Sequence, residues 1–357
     1  MKLGLILSPG DTLAKQSQSG QLDRLRKYYF QPYSKSFAHI YLFTYGDSYQ
    51  AYSLPWNLTL VPKPRFIPNY LYQLFLPFIH RKIVKNISVF RVFQTPGGLP
   101  ALISKIFFNK PYIVTYGYNY VRFAEIENQV FLEKVFRLIV PLVLHFANKI
   151  IITFKSSLAD PKIVIIHNGV DPRVFKPGRK SKKPHLILSV GRLVNQKNYE
   201  RLIKTISLSR FRQQIRLVII GVGPLRSKLL SLSQKLKVDL EIIPNVKHSL
   251  LAVWYQKASV FALTSRIEGQ VKVLLEALSS GCACLTTPFI GNMIKHQSTG
   301  LIGKNSRQLS VQLDLLLSDP KLSQNLGRQA RQFIIDNFDL KKLVNQEIKL
   351  LQSIANL

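Results

Sequence analysis

Short apolar runs recur along the chain, each followed by a polar loop marked by glycine or proline and then by a longer segment with apolar residues three and four apart. Lys2 to Ser8, His39 to Thr44, Ser88 to Phe93, Pro111 to Thr115 and Lys149 to Phe154 are near-continuous in Val, Ile, Leu and Phe, the pattern of strands buried on both faces. Between them Leu22 to Phe30 has helical spacing, a helix runs through Leu102 and Phe107, and Glu125 to Ala147 reads as one long amphipathic helix with Glu127, Glu133 and Lys134 on its wet side. Strands alternating with helices of these lengths predict a parallel sheet wrapped by helices.

The pattern stops once and starts again. After Lys162 to Ile166, the stretch HNGVDPRVFKPGRKSKKP (His167 to Pro184) is rich in Pro, Gly and cations and reads as an interdomain linker. Strands then follow at His185 to Val190, Arg216 to Ile220, Leu240 to Ile243, Ala258 to Leu263 and Cys282 to Thr286, with helices starting at Tyr199, Leu225, Ser249 and Val271. The fold class is α/β with two doubly wound domains, 1–166 and 185–335. The tail from Lys321 to Leu357 is helical, with Leu340, Val344, Ile348 and Leu351 on one stripe, so 336–357 is expected to pack back on the first domain.

A length of 357 residues and 46% hydrophobic content suit two globular cores and exclude a disordered chain. The first apolar run ends at Pro9, too soon for an export signal, and a reducing, cytoplasmic setting fits the two cysteines, Cys282 and Cys284, two apart in one strand. Leu71 to Ile79 and Leu138 to Phe146 fall short of a membrane span. A net charge of +32 leaves three readings: nucleic acid, an anionic membrane surface, or a generally basic proteome. Nucleic acid is disfavoured, because the cations are spread over both halves without a recognition motif. The aromatic run Tyr70, Tyr72, Phe75 and Phe78, followed by Lys82 and Lys85, suits a basic amphipathic helix at the inner membrane face, or equally a core-facing helix with a basic outer side.

Chemistry can sit where strands end. Glu268 and Glu276 lie eight apart in a chain with only 18 Asp plus Glu, the first on the loop after a strand and the second on the following helix. Gly191, Arg192 and Lys197 occupy the loop between a strand and a helix, the position that cradles phosphate, with Arg able to form a bidentate fork. Each feature alone is matched by a plain alternative: a helix-terminal acid, a solvated glutamate, or exposed loop cations. Gly221 and Gly223 form a lone G-x-G, which is more often just a turn.

In combination, the G-R-L with its following K-N, then G-x-G-P, then E-x7-E enclosing V-L-L-E-A, resemble the nucleotide-sugar domain of the family 4 (group 1) glycosyltransferases of GT-B fold. HNGVDPRVFKP, His167 to Pro177, is similar to the segment by which that family enters its second domain, with His167 in place of a proline. The match spans roughly Lys162 to Gly303; the first half agrees in strand order only. The resemblance implies two Rossmann-like domains facing across a cleft and a retaining transfer of sugar from a UDP- or GDP-linked donor to a lipid-linked or polysaccharide acceptor. It implies no cofactor and no metal, and no D-x-D occurs in the chain. It makes Arg192 and Lys197 the diphosphate contacts and Glu268 the partner of the transferred sugar's hydroxyls. Glu276 would take the ribose, the backbone of Gly269, Gln270 and Val271 would add helix dipole to the pocket, and Val246 would lie under the base. The chain departs from the family at Tyr116, where a histidine is usual, and at the first loop, where Ser19 and Gly20 are the nearest equivalents of paired glycines. Gly97 and Gly98 read as a helix-starting turn, and His145 and His248 as structural. The rival reading is a noncatalytic basic protein of the same fold that binds membrane or nucleic acid through charge.

Overall fold

The computed structural model describes residues 1–18, 21–47, 52–154, 160–178, 182–244, 246–289 and 291–356. Ser19 and Gly20 lie outside them. The chain divides into two compact units, Met1–His167 with Lys341–Leu357, and Asn168–Leu340.

In the first unit the elements run β1 (Lys2–Ile6), α1 (Leu13–Gln18), α2 (Leu22–Leu25), a π turn (Arg26–Phe30), α3 (Gln31–Ser36), β2 (His39–Thr44) and β3 (Leu58–Pro62). They continue through α4 (Asn69–Ile79), α5 (Arg81–Asn86), β4 (Val89–Val92), α6 (Leu99–Phe108), β5 (Tyr112–Tyr116), α7 (Tyr120–Ile126), α8 (Val130–Phe146), β6 (Lys149–Ile152) and β7 (Ile163–Ile165). All pairings are parallel, in the order β3-β2-β1-β4-β5-β6-β7. The strand β3 was not anticipated: it is a five-residue edge strand ending at a proline, which removes its donor from the ladder. The long helix expected over Glu125 to Ala147 is in fact two. Asn128 adopts φ 56°, the left-handed conformation that asparagine tolerates, and ends α7 before α8 begins.

The second unit runs β8 (Leu186–Val190), α9 (Tyr199–Ser207), β9 (Arg216–Ile220), α10 (Arg226–Lys235), β10 (Asp239–Ile243), α11 (His248–Lys257) and β11 (Val260–Leu263). It closes with α12 (Lys272–Ser279), β12 (Ala283–Thr286), β13 (Leu301–Ile302), α13 (Ser306–Ser318) and α14 (Pro320–Asn337). Its sheet has the order β10-β9-β8-β11-β12-β13, the doubly wound 3-2-1-4-5-6 arrangement. Successive strand residues feed opposite cores. Leu186, Leu188, Val190, Val218, Ile220, Phe261 and Leu263 enter one, while Ile187, Leu217, Ile219, Val260 and Ala262 enter the other. Cys282 and Cys284 share the first of these cores as free, buried thiols. The two-residue β13 had too short an apolar run to be read from sequence.

From Asn168 on, the described part of the expected linker belongs to the second unit. Phe175 is buried in its core, its carbonyl accepts from Ser279 Oγ at 2.6 Å and Arg331 Nη1 at 3.1 Å, and Asp171 pairs with Arg173 at 2.9 Å. The tail also breaks, at Phe338, between α14 and α15 (Leu340–Ala355). From Lys341 onward α15 joins the first unit, where Tyr33, 314 residues away in sequence, donates to Glu347.

Candidate active site

The second sheet changes winding direction between β8 and its neighbour β11, and a doubly wound sheet binds ligands at the strand ends beside that switch. Two loops leave the sheet there. The one after β8 carries Gly191, Arg192, a 3-10 turn over Asn195–Lys197 and Asn198, whose φ of 51° turns the chain into α9. The one after β11 carries Ser265, Glu268, Gly269, Gln270 and Val271, the residue that starts α12.

These loops are locked together. Gln196 donates to the Ile267 carbonyl at 3.0 Å, its own carbonyl accepts from Arg266 N at 2.8 Å, and Thr264 Oγ1 donates to the Asn198 carbonyl at 3.0 Å. Lys197 is thereby aimed at Glu268: its Nζ lies 2.5 Å from Oε1, and both side chains are about nine-tenths buried. Ser265 Oγ donates to the same oxygen at 2.8 Å, and Gln196 Nε2 reaches the other at 3.3 Å. Of the sequence candidates, Lys197 and Glu268 are therefore brought into contact, while Arg192 projects from the same loop with an exposed side chain.

Gly221 and Gly223 do more than turn. A Cβ on Gly221 would stand 2.0 Å from the Gly191 carbonyl oxygen, and one on Gly223 would stand 2.5 Å from that of Leu193. Only glycine lets the loop after β9 pack main chain to main chain on the loop after β8, with Leu193 N donating to the Val222 carbonyl at 2.9 Å. Gly291 is pressed in the same way against Gly269 and Gln270, 2.3 Å from a virtual Cβ.

Glu276 is not the solvated helix residue of the plain reading. It is buried, its Oε1 lies 2.8 Å from His248 Nε2, and its Oε2 accepts from Tyr255 OH at 3.0 Å. Burial, and then the negative charge of Glu276, push the Tyr255 phenol far up, so it keeps its proton and donates. Sequence alone makes His248 structural and gives Tyr255 no role; the signal is their place on one face of α11, seven residues or about two turns apart in IIPNVKHSLLAVWY. Val246, just before α11, packs partly buried against the core. Gln270 is committed inward: its side-chain oxygen accepts from Asn168 N, and its carbonyl accepts from Asn168 Nδ2 at 2.8 Å. Val271 is buried as well.

In the first unit Tyr116 ends β5 half-buried, its ring 5.9 Å from that of Tyr120. Gly97 and Gly98 start α6, as read, and also allow close approach, the first to the Leu7 carbonyl and the second to Val143.

Residues 170–333 match the family model described as glycosyl transferases, group 1. N-acetylgalactosamine-N,N'-diacetylbacillosaminyl-diphospho-undecaprenol 4-alpha-N-acetylgalactosaminyltransferase of Campylobacter jejuni is 26% identical over 320 residues, 81% of this chain and 84% of that protein. UDP-Gal:alpha-D-GlcNAc-diphosphoundecaprenol alpha-1,3-galactosyltransferase of Escherichia coli is 29% identical over 221 residues, 55% of each chain. Among solved structures, sucrose-phosphate synthase of Thermosynechococcus elongatus superposes with a TM-score of 0.80 at 19% identity over 99% of both chains. HepE of Anabaena in complex with UDP-glucose gives 0.77 at 15% identity over 100% of both. The chain is a glycosyltransferase of GT-B fold, and its second unit belongs to the group 1 glycosyl transferases.

Proposed function

We propose that the protein transfers a sugar, with retention at the anomeric carbon and without a metal, from a nucleoside diphosphate sugar to a lipid-linked or polysaccharide acceptor. The observation that carries this reading is the Lys197–Glu268 pair held at the winding switch of the second sheet. Departure of a nucleoside diphosphate concentrates negative charge on its phosphate oxygens, so the largest catalytic contribution comes from cations already in position. Lys197, oriented by Glu268, and Arg192 supply them. The bond from the anomeric carbon to phosphate oxygen breaks, the bond to the acceptor oxygen forms on the same face, and the acceptor's proton passes to the departing phosphate. Glu268 orients the sugar hydroxyls, and Glu276, fixed by His248 and Tyr255, accepts from the ribose. The two relatives named above act, by their names, on diphospho-undecaprenol-linked sugars, which supports a lipid-linked acceptor, and the second, which uses UDP-galactose, supports a uridine donor.

The test is a thermal-shift screen of nucleoside diphosphates and their sugars, followed by turnover with the stabilising donor. A ligand at a hundred times its dissociation constant adds about 2.7 kcal/mol. Glu276→Ala weakens donor binding beyond the lowered melting temperature that loss of its bonds to His248 and Tyr255 brings, and Arg192→Ala, at an exposed side chain, lowers the rate with an unchanged melting profile in the absence of ligand. Donor kinetics unaltered in both variants would remove the assignment.

A further inference from the structure

The helices over one face of the first sheet bury their inner sides through Tyr72, Leu76, Val84, Leu102 and Val143. Their cores are therefore complete. Their outer sides are nonetheless apolar at one end: Phe75 is 52% exposed on α4, Phe107 64% on α6 and Phe146 42% on α8. The rings of Phe78 and Phe107 meet at 5.2 Å, joining α4 to α6, and Lys110 Nζ donates to the Lys85 carbonyl at 2.6 Å, joining the ends of α5 and α6. Helices that return between parallel strands end where the next strand begins. The last turns of α5, α6 and α8 consequently gather beside the starts of the adjacent strands β4, β5 and β6.

Charge over α4, α5 and α6 has one sign. Residues 48–124 hold nine Lys and Arg and not one Asp or Glu, and Arg81, Lys82 and Lys85 stand exposed beside the aromatic rings. We propose that this face docks on an anionic bilayer, with Phe75, Phe107 and Phe146 entering the boundary between headgroups and acyl chains while the lysines and arginines meet lipid phosphates. A second copy of the chain is a poor occupant, because each brings a net charge of +32 to the contact, whereas an anionic surface is complementary. The docking does not depend on which donor or acceptor the enzyme uses.

Flotation of the full-length protein with neutral phosphatidylcholine vesicles and with vesicles containing phosphatidylglycerol tests this directly. The parent floats with the anionic vesicles, less so as salt is raised, and hardly with the neutral ones. Since each basic residue near such a surface contributes about fivefold, Lys82→Gln/Lys85→Gln lowers partitioning about 25-fold. Phe107→Ser lowers it at low and high salt alike, because apolar insertion is not screened. Nucleotide-induced thermal stabilisation stays at the parent value in every variant, which separates loss of docking from loss of the donor site. Equal flotation with neutral vesicles would overturn the proposal. So would a double-lysine variant that floats like the parent, or a parent dimer that Phe107→Ser dissociates.

Discussion

Two nearly buried ion pairs, Arg91–Glu347 in the first unit and Lys197–Glu268 in the second, are built to different ends. In the first, Arg91 forks onto Glu347 through Nε at 2.7 Å and Nη2 at 3.1 Å, Arg91 Nη1 donates to the Val92 carbonyl, and Tyr33 donates to the same carboxylate. All three guanidinium nitrogens donate, two to the carboxylate and one to the main chain, and both side chains are about 95% buried. In the second, Lys197 makes, among the described residues, one hydrogen bond with its three-donor ammonium, and Glu268 Oε2 receives a single long contact from Gln196. A closed network pins α15 to β4. A network with donors and lone pairs to spare, on loops at a sheet's winding switch, can hold a ligand. Buried charge alone does not mark a site; unspent hydrogen-bonding capacity at the right edge does.

The sharpest way to break this contrast is at the closed pair. Glu347→Ala leaves Arg91 charged and without its counter-ion in the core and costs about 3–5 kcal/mol, read as a lowered urea midpoint. Lys197→Ala is next in size: loss of a preorganised cation at a leaving diphosphate reduces kcat by about 10²–10³, while the urea midpoint moves far less than in Glu347→Ala. A Lys197 variant that destabilises as severely as Glu347→Ala and leaves kcat intact would reverse the assignment of the two pairs.

Much of this was legible in the sequence, and the failures have physical causes. Buried parallel strands announce themselves as unbroken Val, Ile and Leu runs, so His39 to Thr44 and Arg216 to Ile220 coincide with β2 and β9. That signal fails at β3, whose apolar run is broken by Thr59 and closed by Pro62, and at β13, which has two residues. The E-x7-E spacing and the Lys197 loop were found because loop residues at strand ends are few and polar. Their partners were not. Ser265 and Gln196 act through side-chain geometry that spacing does not reveal, and Tyr255 and His248 meet Glu276 from another helix. The described part of the supposed linker reads as Pro- and Gly-rich loop, yet Phe175 buries in the second core, a tertiary fact that local composition hides.

Tyr255→Phe probes the open side of the comparison more gently. It removes one hydrogen bond to a buried carboxylate, worth about 1.5–3 kcal/mol, and leaves Glu276 held by His248 alone. If Glu276 binds the ribose, the loss appears as a raised KM for donor with kcat nearly unchanged. A variant that lowers only the urea midpoint would make Tyr255 a packing residue.

The smallest effect lies back in the first unit, at the break between α7 and α8. Asn128 holds φ 56°, and its N–H closes onto the Glu125 carbonyl at 3.1 Å while Gln129 N reaches that of Ala124 at 2.9 Å. Alanine there must adopt a left-handed conformation, at a cost of about 1 kcal/mol, whereas glycine adopts it freely. Asn128→Ala therefore lowers the urea midpoint slightly, and Asn128→Gly leaves it near the parent. Neither touches a side chain of the Lys197 and Glu268 loops, so nucleotide-induced stabilisation is the same in both. Should Asn128→Ala stabilise the fold instead, α7 and α8 would be one continuous helix in solution, and the outward face offered by Phe146 would have to be redrawn.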